Sequence, residues 1–358
     1  MDDWMSLVRK VIKSTAWGAF ALSLAVLAGC SVGGNPRPRM GSYPASALPT
    51  KFLDLNSLGN HSYGTGLTEN NGLVYTSKGG HIDIAHLRIA ADNTRSLYDK
   101  VRGHLLNNDT NFTFKLNVEP SSYYVEVEYP SYWQNIPPKY REKIADKMSL
   151  ELSQYFTYTM TTWHEVLTWF GYKCLFFLPE KSSAFSWEDI YSNLLGTQLG
   201  SEALGDRAHG YDQAMTILLK EGLEDLQAQT RGTAKEAARE IGRKGIVDLR
   251  KNTDIGLYDG LVTPTLAHGV CKNAEPKSLP VPSLDQVYKY GFAINLEIRP
   301  KEFERGKILR VIYPEGKGEI VRPSEHLPIV MDYIEKDAMA KGYTIIPSEK
   351  PKVLVSAQ

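Results

Sequence analysis

An apolar run from Trp17 to Ala28 stops at Leu27-Ala28-Gly29-Cys30, and that junction decides which part of the chain is free to fold. The run is about a dozen residues, short for a membrane-spanning helix and suited to the hydrophobic region of a secretory leader. Arg9, Lys10 and Lys13 place positive charge ahead of it. Small residues before the cut suit a signal peptidase, and a cysteine directly after it carries the thiol nucleophile that accepts diacylglycerol. Residues 1–29 are therefore expected to be a lipoprotein signal peptide, with Cys30 the lipidation site. Asp2 and Asp3 are atypical of a leader, which makes Met5 a second candidate start. No later run reaches the roughly 18 apolar residues of a spanning helix, so the body is expected to be soluble.

The leader resembles those of bacterial lipoproteins, and the residue after the cysteine is Ser31 rather than Asp. That resemblance implies delivery to the outer membrane, with the N-terminal lipid in the membrane and the body facing the periplasm. An acylated terminus holds a body at the surface without a spanning helix. Of three cysteines, Cys174 and Cys271 then remain, a candidate disulfide in an oxidising compartment whose separation the sequence leaves open. Basic and acidic residues balance at 41 each, so no global field draws in nucleic acid, and none is expected as a partner. Twenty Tyr and six Trp argue for a packed core rather than long disorder.

Residues 30–60 are rich in Gly, Pro, Ser and Asn and are expected to be a flexible tether. Residues 61–250 are expected to form a helix-rich main domain. A helix is predicted from about Ile82 to Arg102, and alternating runs Phe112–Glu119 and Tyr123–Tyr129 predict a β-hairpin. Pro137-Pro138 open a long helix ending near Phe170. Ser186-Trp187-Glu188-Asp189 fits a capping box for a helix ending near Gly205, and another helix is predicted from Tyr211 to about Leu249. Residues 251–358 form a smaller C-terminal region packed on the main domain. Strands are expected at Phe292–Ile298 and Ile308–Tyr313, and a last helix at about Leu327–Lys341. The fold class is α+β.

Three stretches place polar residues where helices should be greasy. Asp83 and His86 lie three apart on one helix face, where a carboxylate fixes a tautomer as a base or metal ligand requires. His164 and Glu165 follow Thr161-Thr162-Trp163, but Thr168 stands where a zinc-protease His-Glu-x-x-His motif needs its second histidine. Asp189 and Asn193 share a face continued by Gly196 and Gly200, a stripe open to a close helix or a ligand. Glu188 and Asp189 are also what a first helical turn favours for its own capping. Asp83, His86, His164, Glu165, Asp189 and Asn193 are the candidate catalytic residues, and His86, His164 and Glu165 the candidate ligands of a divalent metal. Such clusters make metal or hydrolytic sites, and they also satisfy buried polar groups in helical cores.

Gly80-x-x-Asp83-x-x-His86-x-Arg88, Trp163-His164-Glu165-x-x-x-Trp169 and Ser183-Ala-Phe-Ser-Trp-Glu-Asp-Ile-Tyr-Ser-Asn-x-x-Gly196 resemble a family of bacterial lipoproteins known as domain of unknown function 4056. The likeness covers most of the mature chain and implies a lipoprotein class without a reaction. Two readings stay open. One is a non-enzymatic envelope lipoprotein that binds a protein or cell-wall partner. The other is a hydrolase using the His/carboxylate cluster, with or without a divalent metal, on an envelope substrate.

Because acylation needs the thiol, a Cys30→Ser precursor is expected to keep residues 1–29 and to gain no lipid, as read by intact mass. Normal processing of that variant would end the lipidation reading.

Overall fold

The computed structural model describes residues 36–39, 41, 50–116, 119–172, 184–242, 246–248 and 260–346. The expected lipidation at Cys30 and the expected pairing of Cys174 with Cys271 both involve residues outside that set.

Strands β1 (Leu73–Thr76) and β2 (Gly80–Asp83) pair antiparallel, and every residue of both is buried. Gly80 has φ +66° and lies so close to Thr265 that an added Cβ would meet its carbonyl oxygen at 2.3 Å, so only glycine serves there. Helix α1 (Ile84–Asn107) starts on Asp83, whose Oδ1 accepts the Ala85 amide at 2.7 Å, and stops at Asn108 in the left-handed region. Strands β3 (Asn111–Phe114) and β4 (Ser122–Glu128) form the expected hairpin, in register Phe112↔Val125.

Helix α2 (Pro138–Trp169) opens with its proline at the first helical position, where no amide hydrogen is needed. Helix α3 (Asp189–Gly205) follows, then α4 (Tyr211–Asp225) and α5 (Arg231–Gly242). The remaining elements are β5 (Ile246–Asp248), β6 (Leu261–Val262), β7 (Leu279–Pro280), α6 (Asp285–Lys289), β8 (Ala293–Arg299), α7 (Arg305–Ile312), α8 (Pro323–Ala340) and β9 (Thr344–Ile346). The class is α+β, with small sheets beside a helical core. Strand β8 completes a three-stranded antiparallel sheet with β3 and β4, and β5 pairs parallel with β9. The C-terminal region thus shares one sheet with the hairpin.

Helices α1, α2 and α3 make the core. α2 runs antiparallel to α1: Thr94 Oγ1 meets Thr157 Oγ1 at 3.2 Å, and Arg102 pairs with Asp146 toward the other end. α3 runs parallel to α1 at backbone contact. A Cβ on Gly196 would lie 2.0 Å from the Leu87 carbonyl oxygen, and one on Gly200 would lie 2.7 Å from the Ala91 Cα. The beginnings of α1 and α3 and the end of α2 therefore gather at one end of the bundle. Phe112 and Phe114 pack the sheet on Phe156 of α2.

Three expectations are corrected. The helix predicted from Tyr211 to Leu249 is two helices, because β1 captures the intervening backbone: the Gln229 amide donates to Tyr75 O, and the Ser77 amide to Gln227 O. Ile308–Tyr313 is helical rather than extended, since Ile308 and Ile312, four apart, both face the core. The expected tether is partly body. Phe52 bridges to Leu73, Leu53 is buried, and residues 36–39 and 41 lie along α1. Arg39 bonds Asp92 at 2.6 Å and takes both oxygens of Glu69 at 2.9 Å, while His61 Nε2 lies 3.0 Å from Asp92. Arg37 pairs with Glu69 as well. Burial works against the Arg39 charge, but Asp92 and Glu69 outweigh it and hold its pKa above the ordinary value. Gly, Pro and Arg composition reads as linker when the buried carboxylate partners, dozens of residues away, are not visible.

The glycine contact has a sharp consequence. Gly196→Ala is expected to cost about 2 kcal/mol or more, because its methyl meets backbone that cannot yield. Gly103→Ala, at an exposed position toward the end of α1 with open space around it, is expected to gain up to about 1 kcal/mol. Denaturant midpoints of the two variants check this.

Candidate functional site

Asp83, His86 and Asp189 meet where α1 and α3 begin, each offering a ligand atom within 4.8 Å of the others. His86 Nδ1 lies 2.7 Å from Asp189 Oδ1 and 3.1 Å from Asp83 Oδ2, yet neither approach is aligned as a hydrogen bond. Each carboxylate divides its oxygens. Asp83 Oδ1 caps α1, and Asp189 Oδ2 accepts the Ser186 hydroxyl at 2.7 Å, so one oxygen of each is structural and the other faces the imidazole. The predicted capping box is corrected accordingly. Ser186 bonds the Asp189 carboxylate rather than a helix amide, and Glu188 makes no capping bond.

Burial opposes the His86 charge, but Asp189 and then Asp83 outweigh it and hold the imidazolium well above its usual pKa. Glu188 is fully buried, and burial followed by the Asp189 charge pushes its carboxyl well above the usual carboxylate range. Among the described residues neither Glu188 oxygen has a hydrogen-bond partner, nor has Asn193 Oδ1, one turn beyond Asp189 on the same face. Buried acceptors without donors are costly and rare, and here they crowd around one point. The His86 side chain keeps 23 % of its surface exposed, which is the opening of the cluster. Gly41 closes over it: a Cβ there would sit 2.7 Å from His86 Cε1 and 3.2 Å from Asp83 Oδ2.

His164 and Glu165 lie at the same end of the bundle but outside this cluster. His164 Nδ1 meets Glu119 Oε1 at 2.5 Å, and burial raises the Glu119 carboxyl although His164 opposes that rise. Glu165 accepts the Phe185 amide at 2.7 Å and thereby holds Phe185 at φ +57°, a costly conformation for a bulky residue. That turn feeds Ser186–Asp189 into α3. Of the candidate ligands only His86 thus joins the group that could hold a cation, with Asp83 and Asp189, because His164 turns toward the hairpin and Glu165 toward the loop backbone.

Local sequence does not reveal the pairing of Glu119 with His164 or the full burial of Glu188 beside Asp189. Glu119 precedes Pro120 at the hairpin turn, where an acid reads as solvated. His81 of the first polar stretch is a core histidine: its ring takes the Trp187 indole N–H at 3.3 Å and contacts Ala234 O at 3.0 Å. Burial pushes its pKa down to about 4.

The family model described as protein of unknown function (DUF4056) matches residues 26–244, more than half of the chain. No curated protein and no solved structure gives a match.

A folded-state pKa raised above the ordinary imidazole value near 6.5 has a definite sign. Protonated His86 stabilises the metal-free fold fully below about pH 6.5, and that stability is lost as pH rises through the elevated pKa. In metal-free protein the His86 Cε1 resonance is expected to remain that of imidazolium at neutral pH, while His81 stays neutral down to its low pKa. A His86 resonance titrating near pH 6.5 or below would refute this.

Proposed function

The chain belongs to the DUF4056 family, and we propose that it is a lipid-anchored envelope protein whose body holds a divalent cation at Asp83, His86 and Asp189 for hydrolysis of an envelope substrate. Of the two readings open from the sequence, convergence of these three side chains favours the second. The carrying observation is their mutual approach within 4.8 Å, beside oxygens of Asp189, Glu188 and Asn193 that have no hydrogen-bond partner among the described residues.

The donor set fits such an ion. Ligand atoms held about 2.0–2.2 Å from one zinc-like centre lie some 3–4 Å apart, so small side-chain movements suffice. One imidazole and two carboxylates suit Zn²⁺, Mn²⁺ or Fe²⁺ better than Ca²⁺, which prefers an all-oxygen shell. Asp83, His86 and Asp189 would hold such an ion, and a divalent ion there would supply activation of water at neutral pH. The chain's own residues supply the rest. Ser186 and the α1 amide fix the two carboxylates, and burial together with the Asp189 charge favours the protonated form of Glu188 beside them. A protonated carboxyl next to the nucleophile suits protonation of a leaving group.

Metal must displace the His86 proton, so affinity is expected to rise with pH across the neutral range. Protein purified from membranes is expected to carry about one divalent ion per chain by elemental analysis. Asp189→Asn and His86→Ala should lose it while keeping the far-ultraviolet spectrum. Incubation with isolated envelopes should release soluble fragments, and chelation should stop that release. Ion-free protein that cannot be loaded with Zn²⁺ or Mn²⁺ overturns the metal. Loaded protein that releases nothing leaves a binding lipoprotein and overturns the hydrolase.

A further inference from the structure

Chain length limits how far the anchor lies from the body. Arg37 and Arg39 are clasped by Glu69 and Asp92, so the chain joins the body by Pro36. Only six residue steps separate Pro36 from Cys30. Even fully extended they span about 20 Å. The clasp therefore stands close to whatever surface holds the lipid.

The loop over the clasp is built for such a surface. The backbone oxygen of Ser62 accepts from Arg37 Nε at 3.2 Å and Arg39 Nη2 at 3.1 Å. Gly66 lies so near Arg37 that a Cβ would meet Nη1 at 2.5 Å. Residues 60–68 read Asn-His-Ser-Tyr-Gly-Thr-Gly-Leu-Thr, with no Asp, Glu, Lys or Arg, and the histidine is buried. At the tip Leu67 is 95 % exposed. A lone exposed leucine is ordinary on a protein surface. One on an uncharged loop, directly above the point where a short leash leaves for a lipid, has a lipid surface within reach.

We propose that the 60–68 loop is a membrane-contact element: Leu67 inserts among lipid headgroups, and the Arg37–Arg39 clasp fixes the body's orientation on the membrane. The proposal rests on lipidation at Cys30. It does not need the hydrolase. It does confine the Asp83–His86–Asp189 centre, whose cover Gly41 is eleven residues from Cys30, to about 40 Å from the bilayer. The substrate class this selects is lipid-linked or membrane-proximal envelope material.

The test uses the chain from Cys30 to Gln358 with Cys174→Ser and Cys271→Ser, its remaining thiol joined to one myristoyl-length chain. A single such chain binds reversibly and weakly, so added contact is visible in partition. Phosphatidylcholine vesicles keep surface charge out of the measurement. Leu67→Asp is expected to lower partition roughly tenfold or more, as loss of one buried leucine does. Leu67→Trp should raise it. Tyr140→Asp, equally on the surface but at the far end of α2, should leave it unchanged. Partition of Leu67→Asp within about twofold of the parent, or an equal fall in Tyr140→Asp, overturns the proposal. Failure of lipidation itself is read separately, by normal processing of the Cys30→Ser precursor.

Discussion

The backbone contact of α3 on α1 is the constraint from which the rest follows. Two parallel helices normally sit about 8–10 Å apart, separated by side chains. Gly196 and Gly200 remove those side chains at the Leu87 and Ala91 backbone, so the axes close up. Parallel direction then places both N-termini side by side. Asp83 and Asp189, each an ordinary acid at the start of its helix, become neighbours only because of that approach. Their positions suit the positive ends of two helix dipoles, which lowers the cost of bringing two carboxylates together. The glycine stripe is thus the scaffold of the site, about two and three turns beyond Asp189.

Much of this was legible in residues, and the rest was hidden for a physical reason. The long helices and the hairpin announce themselves by periodicity and proline, and α2 begins and ends within a residue or so of its predicted bounds. The Gly196/Gly200 stripe signals a close partner from spacing alone. Local pattern carries no information about which partner, so α1 was invisible in that role. Glu119 and Arg39 show the same limit. Their partners His164, Asp92 and Glu69 lie tens of residues away, and each acid or arginine read locally is an unremarkable turn or linker residue. The helix from Tyr211 fails for a related reason: its interruption is imposed by the edge of β1, not by a helix breaker.

Burying charge is costly unless each charge finds a partner, and the body solves this in two different ways. In the clasp, Arg37 and Arg39 meet Glu69 and Asp92, and the Ser62 amide also donates to Glu69. Burial would raise the Glu69 carboxyl, but Arg39 leads the groups that outweigh it and hold it down at about 2. Such a network fixes residues 36–39 on the body. In the Asp83–His86–Asp189 cluster two carboxylates face one imidazole, and Asp189 Oδ1 has no hydrogen-bond donor among the described residues.

That imbalance separates the functional candidate from its neighbour. The end of the bundle near α2 carries Glu119, Glu165 and Glu302, all buried. Glu302 accepts the Ser121 amide and hydroxyl at 2.7 and 2.8 Å and the Lys301 amide at 2.9 Å, and Glu165 accepts the Phe185 amide. Those two acids are accounted for by the turns they hold. Among the described residues Glu188 has no such bond on either oxygen, Asp189 keeps one oxygen without a donor, and Asn193 does as well. Acceptors gathered without donors, around an imidazole that reaches solvent, are the arrangement a cation completes. The choice of Asp83, His86 and Asp189 over His164 and Glu165 therefore rests on unpaired oxygens rather than on how acidic each cluster is.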